Sequence, residues 1–345
     1  MPDSSQDNPN KQQGTPGRVA RVAIVGTGLV GATTAYALLL SGTVAEIVLI
    51  DRDKRRAEGH ANDLRDAALF SHNAKVLAGD FSDCCDADVT VITAGVSQSV
   101  TTKSRLDDLP ECACMLKDIV EEIACHNPHI LLVASNPVDV LTYAVWTWSG
   151  LPASRVIGSG TTLDTSRFRR RLGELYGVAP ENVHAYIVGE HGDSQVAVLS
   201  SARIAGMPLE DLCREQGLAC DEHTLKTVVN DTRRAGLEII QEKGATYYGV
   251  GAALVRIVGA ILRNEHAVLT VSSLAPESMH LGEVSLSLPA IINRDGVARV
   301  LSVSLDAAER KALEASAEIL KRYIALLDGS KSDVRPGGVG RSSQD

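Results

Sequence analysis

A doubly wound α/β sheet, mostly parallel, followed by a C-terminal α+β region is the fold class this sequence predicts. Three observations carry the prediction. Short runs of Val, Ile, Leu and Ala alternate with helical patterns through the first half of the chain. The first of these runs ends in a glycine cluster that opens a helix. The second half changes to longer alternating strands, two of them joined through Asn293-Arg294-Asp295-Gly296, beside long helical patterns.

The elements follow in order. Residues 19–25 form an apolar run, a helix is expected from Leu29 to Leu40, and a second run, EIVLID, ends at Asp51. A charged helical stretch, DKRRAEGHANDLRDA, leads to AKVLAG and then to ADVTVITAG. A helix through 106–126 precedes HILLVASNP. Beyond a boundary near Gly150-Leu151-Pro152, helices are expected at 161–177, 221–242 and 246–265, with a last one at 306–328. VHAYIVG, HAVLTVSSL, EVSLSLPAII and GVARVLSVSL read as strands among them. The expected organisation is a disordered tail at 1–18, a nucleotide-binding domain at 19–158, an α+β substrate domain at 159–328 and a second disordered tail at 329–345. No internal repeat is visible.

The bulk composition agrees with this and narrows the function. At 345 residues the chain has room for about two domains. Aromatic residues are only 3% against 44% apolar, so the core is aliphatic, as buried parallel strands require. A formal charge of −9 without a long basic run argues against a nucleic-acid partner, since phosphate neutralisation needs clustered Lys and Arg. No apolar run reaches the ~18 residues of a membrane span, and the polar first residues lack the features of a secretory or transit signal. The seven cysteines are odd in number and include no CxxC, which points to reduced thiols and a cytoplasmic setting. Cys112 and Cys114, two apart in a helical stretch, point to different faces and are read as structural, with no metal expected.

Gly26-Thr27-Gly28-Leu29-Val30-Gly31 is a GxGxxG placed after the first strand and at the start of the first helix. Alone the pattern is weak, but Asp51 ends the second strand 20 residues beyond the last glycine. This spacing suits a carboxylate on an adenosine ribose, with the pyrophosphate at the helix N-terminus. The combination predicts a Rossmann-type site for NAD, because Asp51 would repel the 2′-phosphate of NADP. Thr93-Ala94-Gly95 and Ser135-Asn136, at the ends of the fourth and fifth strands, fit the nicotinamide half.

The segment Asn182–Ser194, NVHAYIVGEHGDS, is an alternating strand that stops at Gly189-Glu190-His191-Gly192-Asp193. Glycines flanking the histidine predict a tight turn that leaves the imidazole uncovered and available for proton transfer. Taken alone, a single His is more often a hydrogen-bonded structural residue. This segment, however, closely resembles the catalytic-histidine motif of the lactate and malate dehydrogenases, and the resemblance extends over about residues 19–328.

The resemblance implies roles for further positions. In GSGTTLDTSRFR at 158–169, Asp164 would accept a hydrogen bond from His191, and Arg167 would bind a substrate carboxylate with its fork of donors. From spacing alone, this i,i+3 pair would be a surface salt bridge. Asn136 would lie beside nicotinamide and substrate. The loop from Ala94 to Asp107 resembles the family's mobile lid, in which Arg105 would polarise the substrate carbonyl. Gln98 stands where the malate enzymes carry Arg and the lactate enzymes Gln, so a second carboxylate would be left unpaired. Thr246, within KGATYYG at 243–249, would contact the methyl side of the substrate, whereas its bland reading is a helix cap. Arg169 and His184 match positions that bind fructose 1,6-bisphosphate across a subunit interface in many bacterial members, which implies a homotetramer and an allosteric activator.

The chain also departs from the family. Ser99-Val100-Thr101-Thr102 replaces a Lys-Pro-Gly-Glu-like stretch, Pro110 and Cys112 stand where helix formers and an asparagine are typical, and Gln195–Leu199 lacks the usual Pro and Trp. The implied reaction is hydride transfer from NADH to the carbonyl carbon of pyruvate, with protonated His191 supplying the oxygen's proton and giving (S)-lactate. Two alternatives stand beside it. One is a malate or branched-chain 2-hydroxy-acid dehydrogenase on the same scaffold, and the other is a catalytically weak NAD-binding regulatory protein.

Overall fold

The computed structural model describes residues 19–95, 109–218 and 220–329. Six short strands build the first half: β1 (Arg21–Val25), β2 (Glu46–Ile50), β3 (Lys75–Ala78), β4 (Val89–Ile92), β5 (Leu131–Val133) and β6 (Val156–Gly158). They pair in parallel in the order β6-β5-β4-β1-β2-β3, so the direction of winding reverses between β1 and β4. Four helices connect them: α1 (Leu29–Ser41), α2 (Lys54–Ala68), α3 (Leu109–Ala124) and α4 (Val138–Ser149). Val22, Ala23, Ile24 and Val25 are almost wholly buried, as a strand covered on both faces must be. In such a sheet the crevice at the switch point, beyond the carboxyl ends of the strands, is where ligands bind.

The second half contains α5 (Thr162–Tyr176), β7 (Val183–Val188), β8 (Val196–Ile204), β9 (Met207–Pro208), α6 (Leu209–Gln216), α7 (Glu222–Lys243) and α8 (Tyr248–Leu262). It closes with β10 (Ala267–Leu274), β11 (Ser285–Asn293), β12 (Gly296–Val300) and α9 (Ala307–Gly329). β7, β8 and β9 form a separate antiparallel sheet. The hairpin strands β10, β11 and β12 instead extend the main sheet beyond β6, giving the order β12-β11-β10-β6-β5-β4-β1-β2-β3.

One pairing makes that junction, Ser272 opposite Gly158. A Cβ on Gly158 would lie 2.3 Å from Thr142 Oγ1 and 2.8 Å from Ser272 Cβ, so only glycine lets β6, β10 and α4 meet. Sequence periodicity is blind to such a contact, because it depends on two distant segments. β6, at three residues, and the largely apolar α4 are too short or too uniform to be read by periodicity, while β8 and α6 are elements not expected from the sequence. Pairing with β11 ends at Val300, and residues 301–305 are irregular where GVARVLSVSL reads as continuous strand.

Helix α8 ties the halves together. Leu254, Ile257, Val258 and Ala260 are fully buried in the same cluster as Ile24, Leu38 and Leu39. Gly251 faces Thr33 and Thr34 of α1, with its missing Cβ position 3.0 Å from Thr33 Cγ2. None of the seven cysteines forms a disulfide, and Cys112 is buried while Cys114 is exposed on α3. Pro110 lies in the first turn of α3, where its missing N–H has no helical partner to lose.

Candidate active site

The carboxyl ends of β1, β2, β4 and β5 converge on the switch-point crevice. Gly26 adopts φ +96°, and a Cβ there would stand 2.6 Å from Ala94 N. A Cβ on Gly31 would fall 1.9 Å from Gly26 O. These two glycines are therefore consumed in bringing the β1 turn against α1 and the end of β4. Gly28 and Gly95 are different, since a Cβ on either meets nothing within 4 Å. Thr93 Oγ1 donates to Gly26 O at 2.7 Å, and Ser135 Oγ donates to Ala94 O at 2.5 Å, so the ends of β1, β4 and β5 are stitched together by side-chain hydroxyls.

A dinucleotide fits this crevice on two grounds. α1 begins at Gly28, which has no side chain with which to cap it, and no acidic residue lies in its first turn. Its initial N–H groups and dipole thus face the open side of Gly28, an arrangement suited to a pyrophosphate. α2, by contrast, is capped by Asp53, whose carboxylate accepts from Arg55 N and Arg56 N. Second, Asp51 is held in place at the end of β2. Its Oδ2 accepts from Thr27 N and Thr27 Oγ1, both at 2.7 Å, and its Oδ1 accepts from Asp53 N at 3.0 Å. Partial burial pushes its pKa up, but the Thr27 and Asp53 hydrogen bonds and nearby Arg56 outweigh this and hold the carboxyl below its ordinary value. Leu29, Val30 and Asn136 line the same edge with partial or full exposure.

The histidine site is built from the N-terminal turn of α5 and the end of β7. Thr161 Oγ1 donates to Ile187 O at 2.6 Å, and Ile187 N donates to Thr165 Oγ1 at 3.0 Å, locking the helix start to the strand end. Phe168, fully buried, packs beneath them with Ile187 and Leu172. His191 Nδ1 and Asp164 Oδ2 lie 2.5 Å apart, and Arg167 Nη1 donates to Asp164 Oδ1 at 3.1 Å. The side chains of Asp164, Arg167 and His191 are only 6%, 13% and 15% exposed. The i,i+3 pair is thus no surface salt bridge, and the imidazole is far more covered than a glycine-flanked turn suggests. Neighbouring elements close over it where the sequence shows only a loop.

The loop around His191 is itself tightly specified. Gly189 has φ +85°, and Glu190 N donates to Ser316 Oγ of α9 at 2.9 Å. The Glu190 carboxylate folds back under Gly192, whose Cβ would sit 2.5 Å from it, and accepts from Ser194 N at 3.0 Å. Asp139, in the first turn of α4, accepts from His191 N at 2.6 Å. Sequence reasoning missed both Asp139 and Glu190. An Asp in a first helical turn is an ordinary dipole partner, and only the fold shows what it touches.

Other predicted positions fall farther out. Thr246 is half-buried between α7 and α8, and Tyr247 rather than Thr246 occupies the N-cap of α8. A Cβ on Gly249, at the start of α8, would stand 3.1 Å from Leu163 Cδ1, next in sequence to Asp164. Arg169 Nε donates to Ala185 O at 2.9 Å, and its guanidinium lies 5.2 Å from the centroid of the Tyr186 ring. His184 is exposed on β7. Gln98 and Arg105 lie outside the described residues. An apolar recess of about 540 Å³ behind the His191 loop, bordered by Val196, Leu225 and Ala312, contains none of the predicted site residues.

A dinucleotide crevice together with a buried histidine–aspartate–arginine constellation defines an NAD-linked oxidoreductase. The comparisons with known proteins make this specific. Residues 20–158 match the lactate/malate dehydrogenase NAD-binding domain, and residues 161–328 match the alpha/beta C-terminal domain of the same group. The chain belongs to the lactate/malate dehydrogenase family. It is 48% identical over 305 residues to a probable L-lactate dehydrogenase of Schizosaccharomyces pombe, covering 88% of this chain and 92% of that protein. It is 45% identical over 311 residues to the L-lactate dehydrogenase of Geobacillus kaustophilus, covering 90% and 98%. Among solved structures, a lactate dehydrogenase from a Medee basin deep-sea metagenome superposes with a TM-score of 0.86 at 43% identity, covering 90% of this chain and 99% of that one.

Proposed function

We propose that this chain is an NAD-dependent L-lactate dehydrogenase, interconverting pyruvate and (S)-lactate. The observation that carries the reading is the buried, hydrogen-bonded run His191–Asp164–Arg167 in a chain that also holds the nucleotide crevice. The nicotinamide of NADH, when bound, supplies the hydride. The side chains supply the remaining chemistry. With Nδ1 tied to Asp164, His191 presents Nε2 as the atom that gives the carbonyl oxygen its proton, and the Asp164 carboxylate stabilises the imidazolium. Arg167, fixed through one nitrogen by Asp164, turns its other donors to the substrate carboxylate. Asn136 orients the substrate at the end of β5, and Thr246 limits the room on its methyl side. Arg105 and Gln98 are assigned by family resemblance alone, the former to the developing alkoxide and the latter to rejection of a second carboxylate. Gly26, Gly28, Leu29, Val30, Gly31, Asp51, Thr93, Ala94, Gly95 and Ser135 are assigned to the dinucleotide.

Residues 19–158 act as the nucleotide unit and 159–328 as the substrate unit of a cytoplasmic homotetramer. Phe70 and Leu69, 92% and 79% exposed at the end of α2, support burial against another copy. Arg169 and His184 are assigned to a fructose 1,6-bisphosphate site. Arg169 and Arg256 line a recess of about 270 Å³ beside Tyr186, which supports a site for an anion on that face.

Steady-state reduction of pyruvate, oxaloacetate and 2-oxoisocaproate with NADH tests the substrate. Pyruvate should have the highest kcat/KM, and preference for either of the others would overturn the assignment. The same assay with fructose 1,6-bisphosphate should lower the KM for pyruvate, and an unchanged saturation curve removes the activator.

A further inference from the structure

Asp139 has no role in the reaction as written, yet it is 2% exposed and touches the central residue of the site. Its Oδ2 accepts from the His191 backbone amide at 2.6 Å, and Ser287 Oγ of β11 donates to its Oδ1 at 3.4 Å. Ser287 Oγ also accepts from Thr161 N at 3.0 Å, at the start of the helix that carries Asp164. Ser272 of β10 faces the same carboxyl. The charged groups facing it are His191, which favours its ionised form, and Glu190, which opposes it. Asp164 lies beyond the imidazole.

Two carboxylates therefore grip one histidine, Asp164 at the ring and Asp139 at the main chain. A neutral acceptor would satisfy the same amide. A buried carboxylate is a costly choice, and burial, opposed by Ser272 and the His191 amide, pushes its pKa up to about 6. Costly polar groups that persist in a packed site are most readily understood through what they do there.

We propose that Asp139 is a positioning residue for proton transfer: its buried carboxylate anchors the His191 main chain, and its negative charge is complementary to the imidazolium. The inference rests on the reading of His191 as the proton donor. Asp139 lies three residues beyond Asn136, so the first turn of α4 links the end of β5 to the histidine loop.

The test compares Asp139→Asn, which keeps an acceptor oxygen but removes the charge, with wild type across pH 5 to 8. At pH 7.5 the Asn variant should reduce pyruvate with a kcat about tenfold lower, while its pyruvate KM and NADH Kd stay within about twofold. Its Tm should be unchanged or higher, because a buried charge is gone. Below about pH 6 Asp139 gains a proton and loses its charge, so the ratio of wild-type to variant kcat should fall toward one. Asp139→Ala should lose more, about a hundredfold, because the amide loses its partner as well. A kcat within twofold of wild type in the Asn variant overturns the proposal, as does a kcat ratio that does not change with pH. So does a loss of activity that tracks a loss of Tm. His191→Asn, measured alongside, separates the two levels. If it is inactive while Asp139→Asn is normal, only the positioning role fails, and if it is active the proton-donor reading itself fails.

Discussion

The two halves of this site are built by opposite means. In the nucleotide crevice the working groups are backbone: glycines that remove Cβ atoms, an uncapped helix start and small residues that let strand ends meet. One anchored carboxylate, Asp51, is the exception. Around His191 the working groups are side chains, several of them charged and mostly buried, each satisfied by a named partner. A backbone site recognises shape and is broken by adding atoms. A buried charged site performs chemistry and is broken by removing one partner, which strands the other. Substitutions that leave volume unchanged should therefore be severe in the second half and mild in the first.

The sharpest contrast is at His191. His191→Asn keeps the size of the side chain but cannot carry the proton, so kcat for pyruvate reduction should fall about 10²–10⁴-fold. NADH binding, followed by fluorescence titration, should be unchanged, because the dinucleotide meets the other half of the site. Weakened NADH binding of similar size would show that the two halves are one cooperative unit.

Arg167→Lys comes next. It preserves charge but replaces a planar fork with a point charge, and one of the fork's nitrogens already serves Asp164. Losing a charge-assisted hydrogen bond, about 1.5–3 kcal/mol, corresponds to roughly 10–100-fold in kcat/KM, mostly through KM for pyruvate. A change confined to kcat would place Arg167 in the chemical step rather than in substrate binding.

How much of this contrast could be read from the sequence follows the same division. The backbone half was legible because its determinants are local: three glycines, a helix start and an aspartate 20 residues on define it within one βαβ unit. His191 was legible as a candidate from its flanking glycines, but its link to Asp164 and Arg167 only through family resemblance, since 27 residues separate His191 from Asp164 and neither spacing nor periodicity joins them. Asp139 was not legible at all. Its contact with His191 spans 52 residues and depends on β10 and β11 joining the main sheet beside β6, a pairing fixed by the space left at Gly158. The covered state of the imidazole was misjudged for the same reason, as burial is a property of what packs over a loop.

Within the backbone half, two glycines separate folding from binding. Gly28→Ala places its Cβ in open space, so Tm without cofactor should be nearly unchanged while NADH Kd rises about tenfold, the methyl standing where the pyrophosphate approaches. Gly31→Ala would drive a Cβ to 1.9 Å from Gly26 O and should lower stability by roughly 1–3 kcal/mol or more, readable in a thermal melt without any ligand. Equal melting temperatures for the two variants would mean that the Gly26 turn yields more easily than its contacts with Ala94 suggest.

The smallest effect is expected at Asp51, where the backbone half carries its one charge. Asp51→Asn keeps an acceptor for Thr27 and removes the repulsion toward a 2′-phosphate, so the NADPH/NADH ratio of kcat/KM should rise about three- to fivefold. The carboxyl is held below its ordinary value of 3.8, which means that the folded chain releases this proton more readily than the unfolded one. Its stabilising contribution is therefore complete above the unfolded value and is lost as pH falls through the lower, folded one. The Tm gap between wild type and Asp51→Asn should accordingly be constant from neutral pH down to about pH 5 and close in more acidic solution. A gap that persists unchanged at pH 3 would assign the Asn variant's loss to geometry around Thr27 rather than to charge. Even the charged residue of the crevice would then be acting as a shaped acceptor, and the division between the two halves would be complete.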